Sequence, residues 1–461
     1  MKHLFFLFAL FILASCKSIE AVAPATKSLP VPAMQSESSI ISIPVQIDLK
    51  KYFKQVENSL PSSFSGKEEQ CEGVSFAYRF EREPIQFSSK SHELLYDVDG
   101  RFELKLNYCP KCHELWDNGS CTIPRIYASC GSGTEAMRRV TVGYGTTIEI
   151  TSNYKFKTST ELKKFEILDP CKITVFKYDA TSEVKKQVKK QLEKLEDEID
   201  SKIQGIDIKS ALNDAWKQMQ QPIPLSSYGF MYLSPKKMSF SQPTFKDNVV
   251  YLDLNMTVSP FVSTEKQTIK TTTLPPMEDF KKKDGFEMTV DVRASYDSLS
   301  SIINKEMMGK ELDLKGKKIV LENLLIKGTQ DKKMLFQLRF SGSKKGTIYL
   351  TGIPKIDSVK QVLYMDEIEF DVETKSLLLK SAKWLFNDRI LQEIKKNAVF
   401  DLKPSLKDAK KMINDQLNMN LTPDVSLSGT IDNFVVRSMY LIDNAVFVRT
   451  YFNGKLKLKM K

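Results

Sequence analysis

The chain has 461 residues, 41% of them hydrophobic and 27% charged, with a formal net charge of +11. That length holds two or three domains, and beyond the first residues no apolar run is long enough to cross a membrane. The positive excess is spread along the chain, so no nucleic-acid partner is expected, and anionic headgroups are the better match for a basic surface.

Taken in chain order, Met1-Lys2-His3 is a short basic start and Leu4 to Ile12 is apolar, followed by Leu13-Ala14-Ser15-Cys16. The apolar run is too short to span a bilayer and reads as a processing signal. Its last four residues resemble a bacterial lipobox. That resemblance implies that residues 1–16 are a lipoprotein signal peptide and that Cys16 becomes the acylated, palmitate-type lipid anchor. Several acyl chains on one residue hold far more firmly than one. The implied location is the cell envelope, with the chain anchored to the outer membrane on its periplasmic face or at the cell surface. Residues 17–40, carrying Ala, Pro and Ser with little periodicity, are expected to be a flexible tether.

A first domain is expected over 41–262. Val45, Ile47 and Leu49 alternate as in a strand, then Phe53, Val56 and Leu60 fall at helical spacing. Phe102, Leu104 and Leu106 predict another strand, as do Ile148 with Ile150 and the run Val250, Leu252, Leu254, Met256. Between them Val184, Val188, Leu192, Leu195, Ile199 and Ile203 step by four or three among Lys, Glu and Asp, which predicts a long solvated helix with a narrow apolar stripe. Residues 263–284, rich in Thr, Lys and Pro, are the expected linker. The second domain, 285–461, opens with Met288, Val290 and Val292, then Tyr296, Leu299 and Ile303. Leu378, Ala382, Leu385, Ile390 and Ile394 suggest a second, less regular long helix, and Asp443-Asn444 and Asn453-Gly454 have the composition of hairpin turns.

The two halves repeat. Asp207, Lys209, Leu212, Asp214, Ala215 and Lys217 recur as Asp401, Lys403, Leu406, Asp408, Ala409 and Lys411, an offset of 194 residues. Asp247-Asn248-Val249-Val250-Tyr251 recurs as Asp443-Asn444-Ala445-Val446-Phe447, an offset of 196. A near-constant offset over this distance means two copies of one fold. The span from Val45 to Asp207 exceeds that from Met288 to Asp401 by about 49 residues, and the cysteine cluster falls in the excess, so a Cys-rich insertion is expected around 105–135. Beyond Cys16 the cysteines are Cys71, Cys109, Cys112, Cys121, Cys130 and Cys171. An even set in an exported chain predicts disulfides, with the connectivity open.

Several short stretches resemble the domain-of-unknown-function 4403 family of exported bacterial lipoproteins: Ile43-Pro44-Val45, Ala128-Ser129-Cys130-Gly131, Asp169-Pro170-Cys171, Gly285-Phe286, Gly352-Ile353-Pro354, Phe370-Asp371-Val372-Glu373-Thr374 and Trp384-Leu385. The order of elements is similar to the tubular lipid-binding (TULIP) superfamily. The resemblance implies an α+β fold of two tandem TULIP-like units, each a long amphipathic helix packed on a strongly curved antiparallel sheet. It also implies a pairing of Cys130 with Cys171, which would leave Cys71 to join the insert cysteines.

Chemistry is sparse. Cys109-Pro110-Lys111-Cys112-His113 fits C-x-x-C-H, the haem-attachment pattern, and C-x-x-C is half a zinc site. An oxidising compartment favours disulfides instead, so no cofactor and no metal are expected. There is no G-x-S-x-G, H-E-x-x-H or P-loop, and no catalytic residue is assigned. His92, Asp207 and Asp401 read as structural, the aspartates as helix caps. The expected function is non-catalytic binding, and transfer, of a lipid or other elongated apolar molecule, in a seam lined by Val188, Leu192, Leu195, Ile199, Leu385, Ile390 and Ile394. Burial gives about 0.8 kcal/mol per methylene, so ten methylenes would supply roughly 8 kcal/mol before ordering costs. The same residues would serve a closed, dry core. In that case the chain is a structural or adhesion lipoprotein whose insert meets a protein or glycan.

Overall fold

The fold comes from a computed structural model that describes residues 18–24, 37–112, 121–173, 179–225, 229–313, 318–329, 333–381, 392, 395–396, 398–442 and 444–461. Strand dominates among them, and six helices interrupt it: α1 (Lys50–Ser59), α2 (Thr181–Gln204), α3 (Ile208–Met219), α4 (Tyr296–Met307), α5 (Val372–Ser381) and α6 (Lys403–Leu417). The α+β expectation is corrected to a mostly β fold of curled, half-barrel sheets. Only α2 is long among the described residues, at 24 residues or about 36 Å. The second long helix does not appear there. α5 has 10 residues, and Leu385, Ile390 and Ile394 lie outside the described residues, as do Cys16 and His113. No helix among the described residues is long and apolar enough to cross a membrane.

Both halves of the chain contribute to one central sheet of 11 strands; the first half adds a seven-stranded outer sheet, and the second adds six strands to another, completed to seven by Ile19–Glu20. The opening strand of the first half, Ser39–Asp48, pairs antiparallel with Val249–Val258. Its counterpart Phe286–Ser295 pairs antiparallel with Ala445–Met460. The two pairs meet where Phe286 faces Ile41, and there the opening strands run in opposite directions. Each then leads through a helix, α1 or α4, into its own outer sheet, so the outer sheets leave the central sheet at opposite ends. Asn453-Gly454 is not a turn. It lies inside Ala445–Met460, where a Cβ on residue 454 would collide with the Thr430 carbonyl oxygen and press on Phe286. Close approach of strands, not a turn, requires that glycine.

The repeated segments become α3 and α6, and both lie on the central sheet. Leu212 and Trp216 from α3 and Ile413 and Leu417 from α6 pack on a core that includes Ile41, Met256, Val290, Ile431 and Phe452. Asp207 caps α3, accepting a hydrogen bond from the Ser210 amide at 3.0 Å. The expected cap at Asp401 is shifted, because Leu402 is the cap residue of α6 and Asp401, at the end of the preceding strand, accepts from the Lys403 amide at 3.0 Å. The other repeated element is a hairpin. Asp247 and Asn248 take φ of 51° and 64°, the left-handed pair that a tight hairpin needs. Asp443 lies outside the described residues, and Asn444 follows it beside the paired Ile442 and Ala445.

In two stretches expected to be loose, described residues are held. In the 263–284 stretch Trp216 Nε1 donates to the Thr272 carbonyl at 3.2 Å, Tyr154 donates to the Pro275 carbonyl at 2.8 Å, and Leu274 is buried in the central core. It is a strap over α3. In the 17–40 stretch Ile19–Glu20 pairs parallel with Gly346–Thr347, and Ile19 is only 2% exposed.

Candidate functional site

The first outer sheet is built on the 17-residue strand Glu93–Cys109, flanked by Gly73–Arg82 on one side and Arg138–Ile150 on the other, with Phe156–Ile167 at the edge. Helix α2 lies along that edge. Three disulfides hold the region: Cys130–Cys171, Cys109–Cys121 and Cys71–Cys112, with Cα separations of 5.4, 5.7 and 5.7 Å. The first agrees with the pairing that the family resemblance implies, and Cys71 does join the insert. Cys109 and Cys112 spend their sulfurs in bridges, which leaves the C-x-x-C pair without thiolates for haem or zinc. Cys130 and Cys171 are fully buried, and the Cys171 amide donates to Thr181 Oγ1 at 2.8 Å, which ties the bridge to the start of α2.

One row of α2 is polar and faces the edge strand. Glu196 Oε1 accepts from the Leu162 amide at 2.7 Å, and Asp200 accepts from the Thr160 amide at 3.2 Å and the Thr160 hydroxyl at 2.6 Å. These carboxylates replace the missing neighbouring strand, so the backbone donors at the edge are satisfied. Shorter helices do the same elsewhere. Ser300 and Asn304 of α4 accept from the Ile326 and Leu324 amides, and Asn414 of α6 accepts from the Ile431 amide.

The apolar row of α2 closes onto the sheet. Val184 is buried against the Cys130–Cys171 bridge with Val188 beside it, and Leu192 and Ile199 pack on Val140, Val142 and Tyr144. The Tyr144 hydroxyl donates to the Leu192 carbonyl at 3.0 Å, and burial pushes its phenol above the usual range. Leu195 stays 39% exposed. Two cavities of about 420 and 240 Å³ lie elsewhere, one beside Arg437 and Tyr451 of the central sheet, the other between Trp216 and the strap. Along this seam the described residues pack as a core. Of the expected lining residues, the structure gathers Val188, Leu192 and Ile199 into it.

The same face continues past the start of α2 and is uncovered there by any described element. In Gly73–Arg82, Val74, Phe76, Tyr78 and Phe80 alternate with Ser75, Ala77, Arg79 and Glu81. Register sets Val74 beside Tyr108 and Ile126, Phe76 beside Leu106 and Ala128, and Tyr78 beside Leu104 and Cys130. Leu104 and Cys130 pack beneath α2, so this row leads straight out of the closed core. Further out Phe64 is 39% exposed, Tyr78 42%, Tyr108 44%, Ile126 44% and Val74 49%. Gly66 makes room for the Tyr78 ring, since a Cβ there would come within 2.7 Å of it. An apolar, aromatic patch of this continuity is an interaction surface rather than scattered exposure. The alternation Val74-x-Phe76-x-Tyr78-x-Phe80 is the sequence signal for it.

His92 Nδ1 lies 3.3 Å from the Pro243 carbonyl. Among the described residues, no group of three or more His, Cys, Asp or Glu side chains could hold a metal ion.

No curated protein sequence matches the chain. Among solved structures, the crystal structure of lipopolysaccharide binding protein aligns with 92% of this chain and 99% of its own, at 10% identity and a TM-score of 0.29. P47 of Clostridium botulinum E1 aligns over 90% and 98%, at 8% identity and a TM-score of 0.19. At these scores neither likeness bears on the reading of the site. A family model described as a domain of unknown function (DUF4403) matches residues 37–460, nearly the whole described body, and the chain belongs to that family.

Proposed function

We propose that the chain is an exported lipoprotein, anchored through Cys16 to the outer membrane, that binds lipid acyl chains on the open apolar face of its first outer sheet and hands them on without chemistry. The observation that supports this is the continuity of Leu104 and Cys130, packed under α2, with Leu106, Phe76, Tyr78 and Tyr108, which no described element covers. An acyl chain laid along that row would extend the existing core outward, and each methylene it buries contributes about 0.8 kcal/mol. The site is a face rather than a closed tube, which suits a ligand that must enter and leave.

The test is native mass spectrometry of the chain from Lys17 onward, followed by organic extraction and lipid analysis. A discrete lipid adduct is expected in the wild type and its loss in the double variant Tyr78→Asp/Leu106→Asp, with thermal unfolding unchanged. A bare mass in the wild type that persists after incubation with phospholipid and fatty acid would reject the proposal.

A further inference from the structure

The segment just after Cys16 is docked on the second outer sheet, at the opposite end of the molecule from the open apolar face. The Ile19 amide donates to the Lys345 carbonyl at 2.9 Å and the Ala21 amide to the Thr347 carbonyl at 3.2 Å. Ile19 fills a core with Phe340, Ile348, Leu350, Phe370 and the fully buried Leu378 of α5. The site is shaped for it. Gly346 has no side chain where a Cβ would collide with the Ile19 carbonyl and press on its side chain. Strand Val362–Phe370 pairs with Gly346–Asp357 only from Leu350 onward, which leaves the edge at Gly346 and Thr347 for Ile19 and Glu20.

We infer that the corner formed by Ile19, Glu20 and the Lys344–Lys345 turn is the surface that rests on the bilayer. The inference rests on lipidation of Cys16. Only Lys17 and Ser18 separate Cys16 from Ile19, and the three extended steps between them reach about 10 Å. A body docked at Ile19 cannot then stand off on a loose tether, because its anchor is held at this corner. Lys344 and Lys345 are both exposed there, next to Lys318, which is paired with Glu311 at 2.7 Å, and near the exposed Glu20. The two lysines without an ion-pair partner among the described residues place their ammonium groups where anionic headgroups would be.

The experiment uses the chain from Cys16 onward, coupled through Cys16, its free thiol once the other six cysteines are bridged, to a maleimide lipid in phosphatidylglycerol vesicles. A donor fluorophore is carried by a bio-orthogonal handle at Ser343 or, in a second sample, at Ser65 of the first outer sheet, with an acceptor on the headgroups. The Ser343 donor should lose most of its emission and the Ser65 donor little. Gly346→Ala and, separately, Ile19→Asp should raise hydrogen exchange at the Ala21 amide and make the two donors alike. Equal quenching of both donors in the wild type, or a difference that survives in both variants, would overturn the inference. Chemical coupling supplies the anchor here, so a negative result concerns the docked corner alone. Whether cells acylate Cys16 is read separately, from the mass of the N-terminal peptide of membrane-extracted protein.

Discussion

The polar row of α2 makes a sharp prediction. Asp200→Ala removes the acceptor of two hydrogen bonds from Thr160, whose amide and hydroxyl lie at a position only 5% exposed. The hydroxyl keeps a partner in Thr146 Oγ1 at 2.8 Å, but the amide is left without one. Leaving a buried donor unmade costs about 1–3 kcal/mol, and a bond to a carboxylate is at the strong end, so the variant should lose roughly 2–3 kcal/mol. Glu196→Ala removes a single bond, from the Leu162 amide, and should lose about 1–2 kcal/mol. The assay pairs urea unfolding with amide hydrogen exchange. Exchange should rise at Thr160 in the first variant and at Leu162 in the second, with the Gly73–Arg82 amides unchanged. If both amides stay as protected as in the wild type, the helix is not standing in for a strand and the account of the edge is wrong.

Three further outcomes follow from the same geometry. Asp169 accepts from the Arg139 guanidinium and the Arg139 amide, and those bonds hold its carboxyl well below the usual carboxylate range. Its contribution is then fully present above the unfolded pKa, near 3.9, and fades as pH falls toward the lower folded value; urea midpoints of wild type and Asp169→Asn should differ most above about pH 5, begin to approach one another only below about pH 4, and meet only toward the lower folded value. The bridge Cys130–Cys171 spans 41 residues, so Cys130→Ala/Cys171→Ala should lose about 4 kcal/mol by the loop-entropy relation, read by thermal unfolding, with loosening of the start of α2 visible in hydrogen exchange. Gly454→Ala should prevent folding of the central sheet, seen as loss of soluble protein, whereas Gly133→Ala, in open space but at a φ of +72°, should leave soluble protein with at most a modest loss of stability.

What the sequence revealed and what it hid divide along physical lines. The α2 stripe and the paired Asp-x-Lys helices were legible because period and caps are local properties, and Asp207 fulfils its cap within three residues. Gly454 was misread because Asn-Gly carries a turn signal locally, while the reason for the glycine is the Thr430 carbonyl from another strand. Ile19 looked like part of a tether because its partner, Gly346, lies more than 300 residues away. Leu274 sat in a Pro- and Thr-rich stretch whose composition says linker, yet α3 and the central core provide its burial. The open face was written plainly in alternating Val74, Phe76, Tyr78 and Phe80. That no described element covers it, as α2 covers Leu104, depends on where α2 begins.

The opposite departure of the two outer sheets sets a distance. Strand Ala445–Met460, 16 residues long, covers roughly 50 Å of the path between them. A chain held to its bilayer at the Ile19 corner would carry the Tyr78–Tyr108 face well clear of the headgroups that hold it, like the far arm of a gantry. Acyl chains would have to reach that face from across the intervening water, on a carrier or from a facing membrane, rather than climb from the leaflet underneath.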